Sequence, residues 1–383
     1  MEIGLYVHIP FCAARCPYCD FTITVTRRRP EEAYRDALLR ELGGRLEEAP
    51  WREATLRTIF FGGGTPSIVD PSFIDAVLAE ARARAGPRFA PREVTLEANP
   101  EGLEPAKLLA WRRAGVDRLS LGAQSFQEAH LRFLGRGHRA GDIRAAVGAA
   151  REAGFANLSL DLIFAMPGQT MEDLESDLDQ ALALGPEHLS CYNLTAEPAT
   201  RFGREVRAGR HALPGEETQA RMFTRIGERL DRAGLRRYEI SNFARPGFES
   251  IHNRCYWRRE SYLGIGTGAH SLLARPDGGT RWWNVRDHRR YIALAREGKP
   301  CVEGSEALGP GDARREWVFL RLRDVEGFSG SEFRGTFGEE PGEFFPGVIP
   351  VLIEEGLLET TGDRVALTDR GRLVSDEVFL RFF

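Results

Sequence analysis

Three cysteines fall within eight positions of "HIPFCAARCPYCDF", residues 8–21: Cys12, Cys16 and Cys19, spaced C-x3-C-x2-C. Three arrangements compete for them. A disulfide would use two and strand the third, and six cysteines in 383 residues do not make a disulfide framework. A structural zinc ion closes a tetrahedral set and would need a fourth ligand, for which His8 is the candidate. A [4Fe–4S] cube offers one outside position per iron, so three thiolates leave the fourth iron open for a ligand that is not protein. An open metal position suits a binding or catalytic site, whereas a closed one serves structure. The remaining cysteines, Cys191, Cys255 and Cys301, are scattered.

Other polar oddities accompany the triplet. "FFGGGTPS" (60–67) places glycines where backbone could approach a ligand closely, or simply where the chain turns tightly. It lacks the Lys-Ser/Thr ending of a phosphate loop and the spacing of a dinucleotide fingerprint. Glu97 and Asp161 sit at the ends of, or inside, apolar runs, where an unpaired carboxylate would be costly without a polar partner. "HNRCYW" (252–257) sets an imidazole beside two aromatic side chains, an arrangement that by itself describes many packed histidines.

The elements that must position these residues read as alternating strands and helices. Candidate strands are Leu5–Ile9, Thr58–Phe61, Val94–Glu97, Arg118–Leu121, Leu158–Ile163 and Leu189–Leu194, with a seventh near Tyr238–Ile240. Pro30-Glu31-Glu32 opens a helix with Tyr34, Leu38, Leu42 and Leu46 on one stripe. Asp70-Pro71 caps another, with Phe73, Ile74, Val77 and Leu78 inward. Thr170 and Asp173 form a capping-box pattern ahead of Leu174, Leu178 and Leu182. Such alternation predicts an α/β fold, a partial (β/α)6-type barrel of parallel strands with outer helices. The cysteines, Gly62–Thr65 and Gln124 each follow a strand, Glu97 ends one and Asp161 lies within one, which is where barrels place their chemistry.

From residue 301 onward the pattern changes. Trp317–Leu322 reads as a helix, and the last forty residues read as helix, two short strands around Thr361-Gly362-Asp363, and a final helix. This outlines a small winged-helix-like α+β domain over 301–383, after a first domain over 1–300. Between Pro341 and Phe383 four arginines face eight acidic residues, the wrong sign for phosphate contact. The whole chain carries a net charge of −4, so no nucleic-acid partner is expected. No secretory leader and no stretch of about 18 apolar residues appears. The chain reads as cytoplasmic with no integral membrane segment, open to peripheral membrane contact, and as monomer or dimer.

"LYVHIPFCAARCPYCDF", "FGGGTPS", "LEANPEGL", "DRLSLGAQSF", "LGRGH" and "LDLIFAMPGQT" together resemble the radical S-adenosylmethionine (SAM) superfamily, and within it the oxygen-independent coproporphyrinogen oxidase-like group. The resemblance covers most of residues 5–271. It implies a [4Fe–4S] cluster on Cys12, Cys16 and Cys19. It implies SAM bound by Tyr6, Tyr18, Gly63, Gly64, Thr65, Glu97, Gln124, Arg136, Asp161, Thr195 and His270. That group contains decarboxylating dehydrogenases and haem carriers, and two departures bear on the branch. The dehydrogenases resemble one another in a further cysteine two places after the third, where this chain has Phe21. "HNRCYW" resembles the HNxxYW motif of HemW-type haem chaperones. The resemblance then implies His252 as haem-iron ligand, with Asn253, Tyr256 and Trp257 orienting the ring and Cys255 a bystander. It also implies delivery of haem to acceptor apo-proteins, those of respiration among them. The alternatives are an active coproporphyrinogen dehydrogenase and another radical SAM enzyme, a methylase or cyclopropanase, of the same outline.

Overall fold

The computed structural model describes residues 1–383. One sheet of twelve strands dominates it. At its centre seven strands run parallel, in the spatial order Tyr262–Ile265, Glu2–Ile9, Thr55–Gly63, Phe89–Ala98, Arg118–Gln124, Asn157–Phe164 and His188–Asn193. Antiparallel strands extend both margins, so the curved sheet stays open: a partial barrel. The six strands expected from the apolar runs are all present. Their outward residues are apolar because helices cover that face: Leu5, Val7, Ile59, Phe61, Leu96, Leu119, Leu160 and Leu189 are all buried in one 62-residue core.

The expected helix starts also stand. Asp70 accepts a hydrogen bond from Ser72 N–H ahead of Pro71–Ala85, and Thr170 and Asp173 close a capping box ahead of Met171–Ala183. Tyr34, Leu38, Leu42 and Leu46 are the buried stripe of Glu31–Glu47.

Two strand assignments need correction. No strand occupies Tyr238–Ile240. Those residues turn between two short antiparallel edge strands, Arg236–Arg237 and Asn242–Ala244, and Glu239 bends back to accept from Ser241 N–H. The seventh parallel strand is instead Tyr262–Ile265, hydrogen-bonded to the first. Four residues that run straight into "GTG" read as loop because the strand is too short to show a period.

Val302–Leu308, just past the expected boundary at residue 300, pairs with Gly278–Asn284 and forms one margin of the main sheet. A separate core of 13 residues follows, including Trp317, Phe328, Phe333, Leu352, Leu367 and Phe379. It is covered by the helix Pro310–Arg321 and a three-stranded antiparallel sheet of Phe328–Ser329, Arg364–Leu367 and Leu358–Thr361. No helix is long and apolar enough to cross a membrane.

Candidate active site and comparison with known proteins

The C-terminal ends of the parallel strands open into a cleft of about 530 Å³. Cys12, Cys16, Tyr18 and Cys19 form one wall, Gly63, Gly64 and Thr65 the next, and Glu97, Gln124, Arg136, Asp161 and Thr195 the rest. All six cysteines carry free thiols. Cys12 sits on a two-residue strand, Phe11–Cys12, that pairs with Thr24–Val25, so the cysteine loop is pinned at both ends. Within it, Cys19 N–H bonds the Cys16 carbonyl. The Thr65 hydroxyl donates to Cys12 Sγ at 3.5 Å and the Arg136 guanidinium to Cys16 Sγ at 3.8 Å. Burial pushes the Cys12 and Cys19 thiols up, so a bound cation is what would hold them as thiolates.

The three sulfurs do not meet at a single-ion position. A cube takes each thiolate on a different iron and needs them apart. The zinc reading also loses its fourth ligand. His8 Nε2 meets the Thr22 carbonyl at 2.8 Å and Nδ1 the Tyr6 hydroxyl at 3.1 Å, leaving neither nitrogen free, and burial lowers its pKa to about 4. The donor set therefore fits a [4Fe–4S] cluster.

The glycines serve this loop directly. A Cβ on Gly64 would lie 2.7 Å from the Pro10 backbone, and one on Gly63, whose φ is +111°, would strike the His8 ring. Glycine here lets the second strand's end approach the cysteine loop.

Opposite the cysteines stand two carboxylates. Glu97 accepts only the Gly63 N–H, at 3.3 Å, and burial followed by the charge of Asp161 raises its pKa to about 7. Asp161 accepts from Ser120 Oγ at 3.1 Å and Ser159 Oγ at 3.3 Å, and burial raises its pKa also. A cleft holding two reluctant carboxylates suits a ligand with hydroxyl donors and a positive charge. Gln124 takes a φ of +65°, a left-handed conformation uncommon outside glycine, where the fourth strand ends.

Two expected SAM residues lie off the cleft wall. Tyr6 is beneath it, its ring stacked on Phe60 at 6.2 Å and its hydroxyl on His8. His270 is exposed and stacks on Trp283 at 5.8 Å. Sequence reasoning passed over Asn99, which accepts from Arg136 at 2.5 Å, and Ser120 and Tyr192, which complete the wall. Asn99 lies inside the quoted "LEANPEGL", directly after a strand end, so its position was the available signal.

The haem-motif residues are elsewhere. His252, Asn253, Tyr256 and Trp257 lie on the short helix Ile251–Trp257, which packs inside the barrel against the N-terminal halves of the first strands. His252 is 1% exposed. Its Nδ1 meets Thr58 Oγ1 and its Nε2 the Tyr256 hydroxyl, both at 2.8 Å, and its ring stacks on Phe60 at 5.0 Å. Burial, aided by Arg118, pushes its pKa down to about 3. Arg323 lies over the Trp257 ring at 4.5 Å. Cys255 donates to the Ile251 carbonyl of its own helix at 3.2 Å.

Residues 6–181 match the Radical SAM superfamily and residues 308–374 the HemN C-terminal domain. "Heme chaperone HemW" of Bacillus subtilis is 38% identical over 98% of this chain and 98% of its own. The chain belongs to the HemW family. The HemW of Escherichia coli strain K12 is 35% identical over 97% of this chain and 95% of its own. Among solved structures, coproporphyrinogen III oxidase (HemN) of Escherichia coli, described as a radical SAM enzyme, superposes with a TM-score of 0.83. It is 25% identical and covers all of this chain and 90% of its own. The HemW relationship and the radical SAM fold thus agree with the three-cysteine cleft.

Proposed function

We propose that this protein is a cytoplasmic haem chaperone on a radical SAM scaffold. It holds a [4Fe–4S] cluster on Cys12, Cys16 and Cys19 and SAM in the adjoining cleft, and it carries haem to acceptor proteins, those of respiration among them. When bound, the cluster supplies an open coordination position and one electron. The chain's own residues do the rest. Thr65 and Arg136 donate to the cysteine sulfurs. Glu97 and Asp161 accept ligand hydroxyls and offset a sulfonium charge. The pinned loop keeps the thiols facing the cleft.

Haem would bind through His252, with Tyr256 and Trp257 offering flat apolar surface to the ring. Because both imidazole nitrogens are engaged inside the barrel, this reading requires the Ile251–Trp257 helix to swing outward. The observation that carries the proposal is the coexistence of a three-cysteine cleft and the HNRCYW segment in one barrel of a HemW-family chain. The fit to HemN keeps a second reading, coproporphyrinogen dehydrogenase, in view, and Phe21 in place of a fourth cysteine weighs against it.

Anaerobic cluster reconstitution followed by haemin titration, read by absorbance, tests the choice. The chaperone reading expects a saturable Soret change that His252→Ala shifts and weakens, and no coproporphyrinogen turnover with SAM and reductant. Turnover by the wild type, or an unchanged haem spectrum in the variant, overturns it.

A further inference from the structure

A line of buried side chains joins the cleft to the helix that carries His252, and nothing in the proposed function uses it. It begins at Asp161, which accepts from Ser159 Oγ at 3.3 Å. Ser159 Oγ meets His188 Nδ1 at 2.8 Å, and His188 Nε2 meets the Tyr238 hydroxyl at 2.9 Å. The Tyr238 oxygen accepts from Ser250 N–H at 3.3 Å. Ser250 Oγ donates to Glu93 at 3.2 Å, and Glu93 also accepts the backbone N–H groups of Ile251 at 2.8 Å and His252 at 3.1 Å. Ser159, His188, Tyr238, Ser250 and Glu93 are all buried, so bulk water does not compete for these bonds.

Counting protons gives the line a direction. A serine or tyrosine hydroxyl has one proton to give, and a neutral imidazole has one N–H. Burial keeps His188 neutral. With Ser159 donating to Asp161, His188 must carry its hydrogen on Nδ1. Its Nε2 then accepts from the Tyr238 hydroxyl, whose oxygen is left to accept Ser250 N–H. Every group is matched. If Asp161 is taken over by another partner, Ser159 turns its proton to His188 Nδ1 and the tautomer inverts, water admitted by local opening taking the Nδ1 proton and returning one to Nε2. Nε2–H then donates to Tyr238, whose own hydrogen is forced toward the Ser250 amide, and that bond is lost.

We propose that Ser159, His188 and Tyr238 are positioning residues that couple engagement of Asp161 in the cleft to loosening of the segment bearing His252. The SAM arm of the proposal rests on the cleft reading above; the Asp161 arm does not.

The experiment is backbone hydrogen exchange of residues 250–258 in the reconstituted full-length protein. Adding SAM should accelerate exchange of the Ser250 amide, the N–H that Tyr238 releases, about fivefold, the ratio set by one hydrogen bond of ordinary net strength. Asp161→Ala should give the same acceleration without SAM. Tyr238→Phe keeps the ring, removes the hydroxyl and should abolish the response to both. A merely structural Tyr238 would raise basal exchange and leave the response intact. Should Tyr238→Phe not fold, Ser159→Ala breaks the line earlier and carries the same expectation. Equal exchange in Asp161→Ala and wild type, or a preserved response in the broken-line variants, overturns the proposal. Acceleration by Asp161→Ala but not by SAM supports the relay and removes SAM as the cleft's ligand.

Discussion

Glu97 shows how much one carboxylate can report about its ligand. Its pKa near 7 comes from burial first and Asp161 second, so at neutral pH it is only partly charged. A sulfonium held nearby favours the ionised form. SAM affinity should therefore rise with pH through about 7 and level off above it, with proton release on binding near neutrality. Titration calorimetry in buffers of different ionisation enthalpy reads this directly, and Glu97→Gln should flatten the pH slope. Fold stability has the opposite sign: the contribution of Glu97 is present below its unfolded pKa and lost as pH rises through about 7. The glycine stretch gives a second residue-scale expectation. Gly64→Ala drives a methyl to 2.7 Å from Pro10 backbone, at a cost of about 1–3 kcal/mol if the loop must shift. It should lower iron incorporation on reconstitution, as Cys19→Ala should do far more completely, both measured by iron and sulfide content. The cysteines and carboxylates were legible because types and spacing declare themselves in sequence. The reason for the glycines was not, since their neighbour, the Pro10 backbone, is more than fifty residues away in the chain.

At the scale of the element, the helix Ile251–Trp257 departs most from what its sequence suggests. By resemblance "HNRCYW" is a motif that meets a ring, yet the fold turns it inward, with His252 between Thr58, Phe60 and Tyr256. Its motif was visible; its burial was not, because that depends on hydroxyls and rings contributed by strands nearly two hundred positions earlier. His252→Ala should leave the buried Thr58 hydroxyl and the half-buried Tyr256 hydroxyl without their partner and cost about 1–3 kcal/mol, seen in the denaturant midpoint. The same variant should retain part of its haem affinity through Tyr256 and Trp257 while its Soret band moves. The start and buried face of long amphipathic helices such as Pro71–Ala85 were readable, because cap, proline and apolar stripe are local in sequence. Tyr262–Ile265 was not: a four-residue strand owes its existence to pairing with the first strand.

Across the whole molecule, the small C-terminal core is fastened to the barrel by buried charge. Glu316 accepts from Arg259 at 3.0 Å and from Arg281, and Arg254 of the haem-motif helix pairs with Asp324 at 3.4 Å. Glu316→Ala strands a guanidinium that is almost fully enclosed and should cost about 3–5 kcal/mol, lowering the thermal midpoint. The alternation of strands and helices announced the barrel. The way its margins are finished did not show, because antiparallel edges such as Val302–Leu308 are set by partners rather than by their own pattern. The sheet's geometry has one more consequence. Thr58, under His252, and Gly63, at the cleft, stand five residues apart along one strand, roughly 17 Å at the usual rise. Haem held by that helix once it has swung out from its end of the strands, and SAM in the cleft at the other end, would be neighbours through a wall, never rivals for a seat. Saturating one should leave room for the other, so excess SAM should not expel haem by displacement, and any influence between them has to travel through the protein.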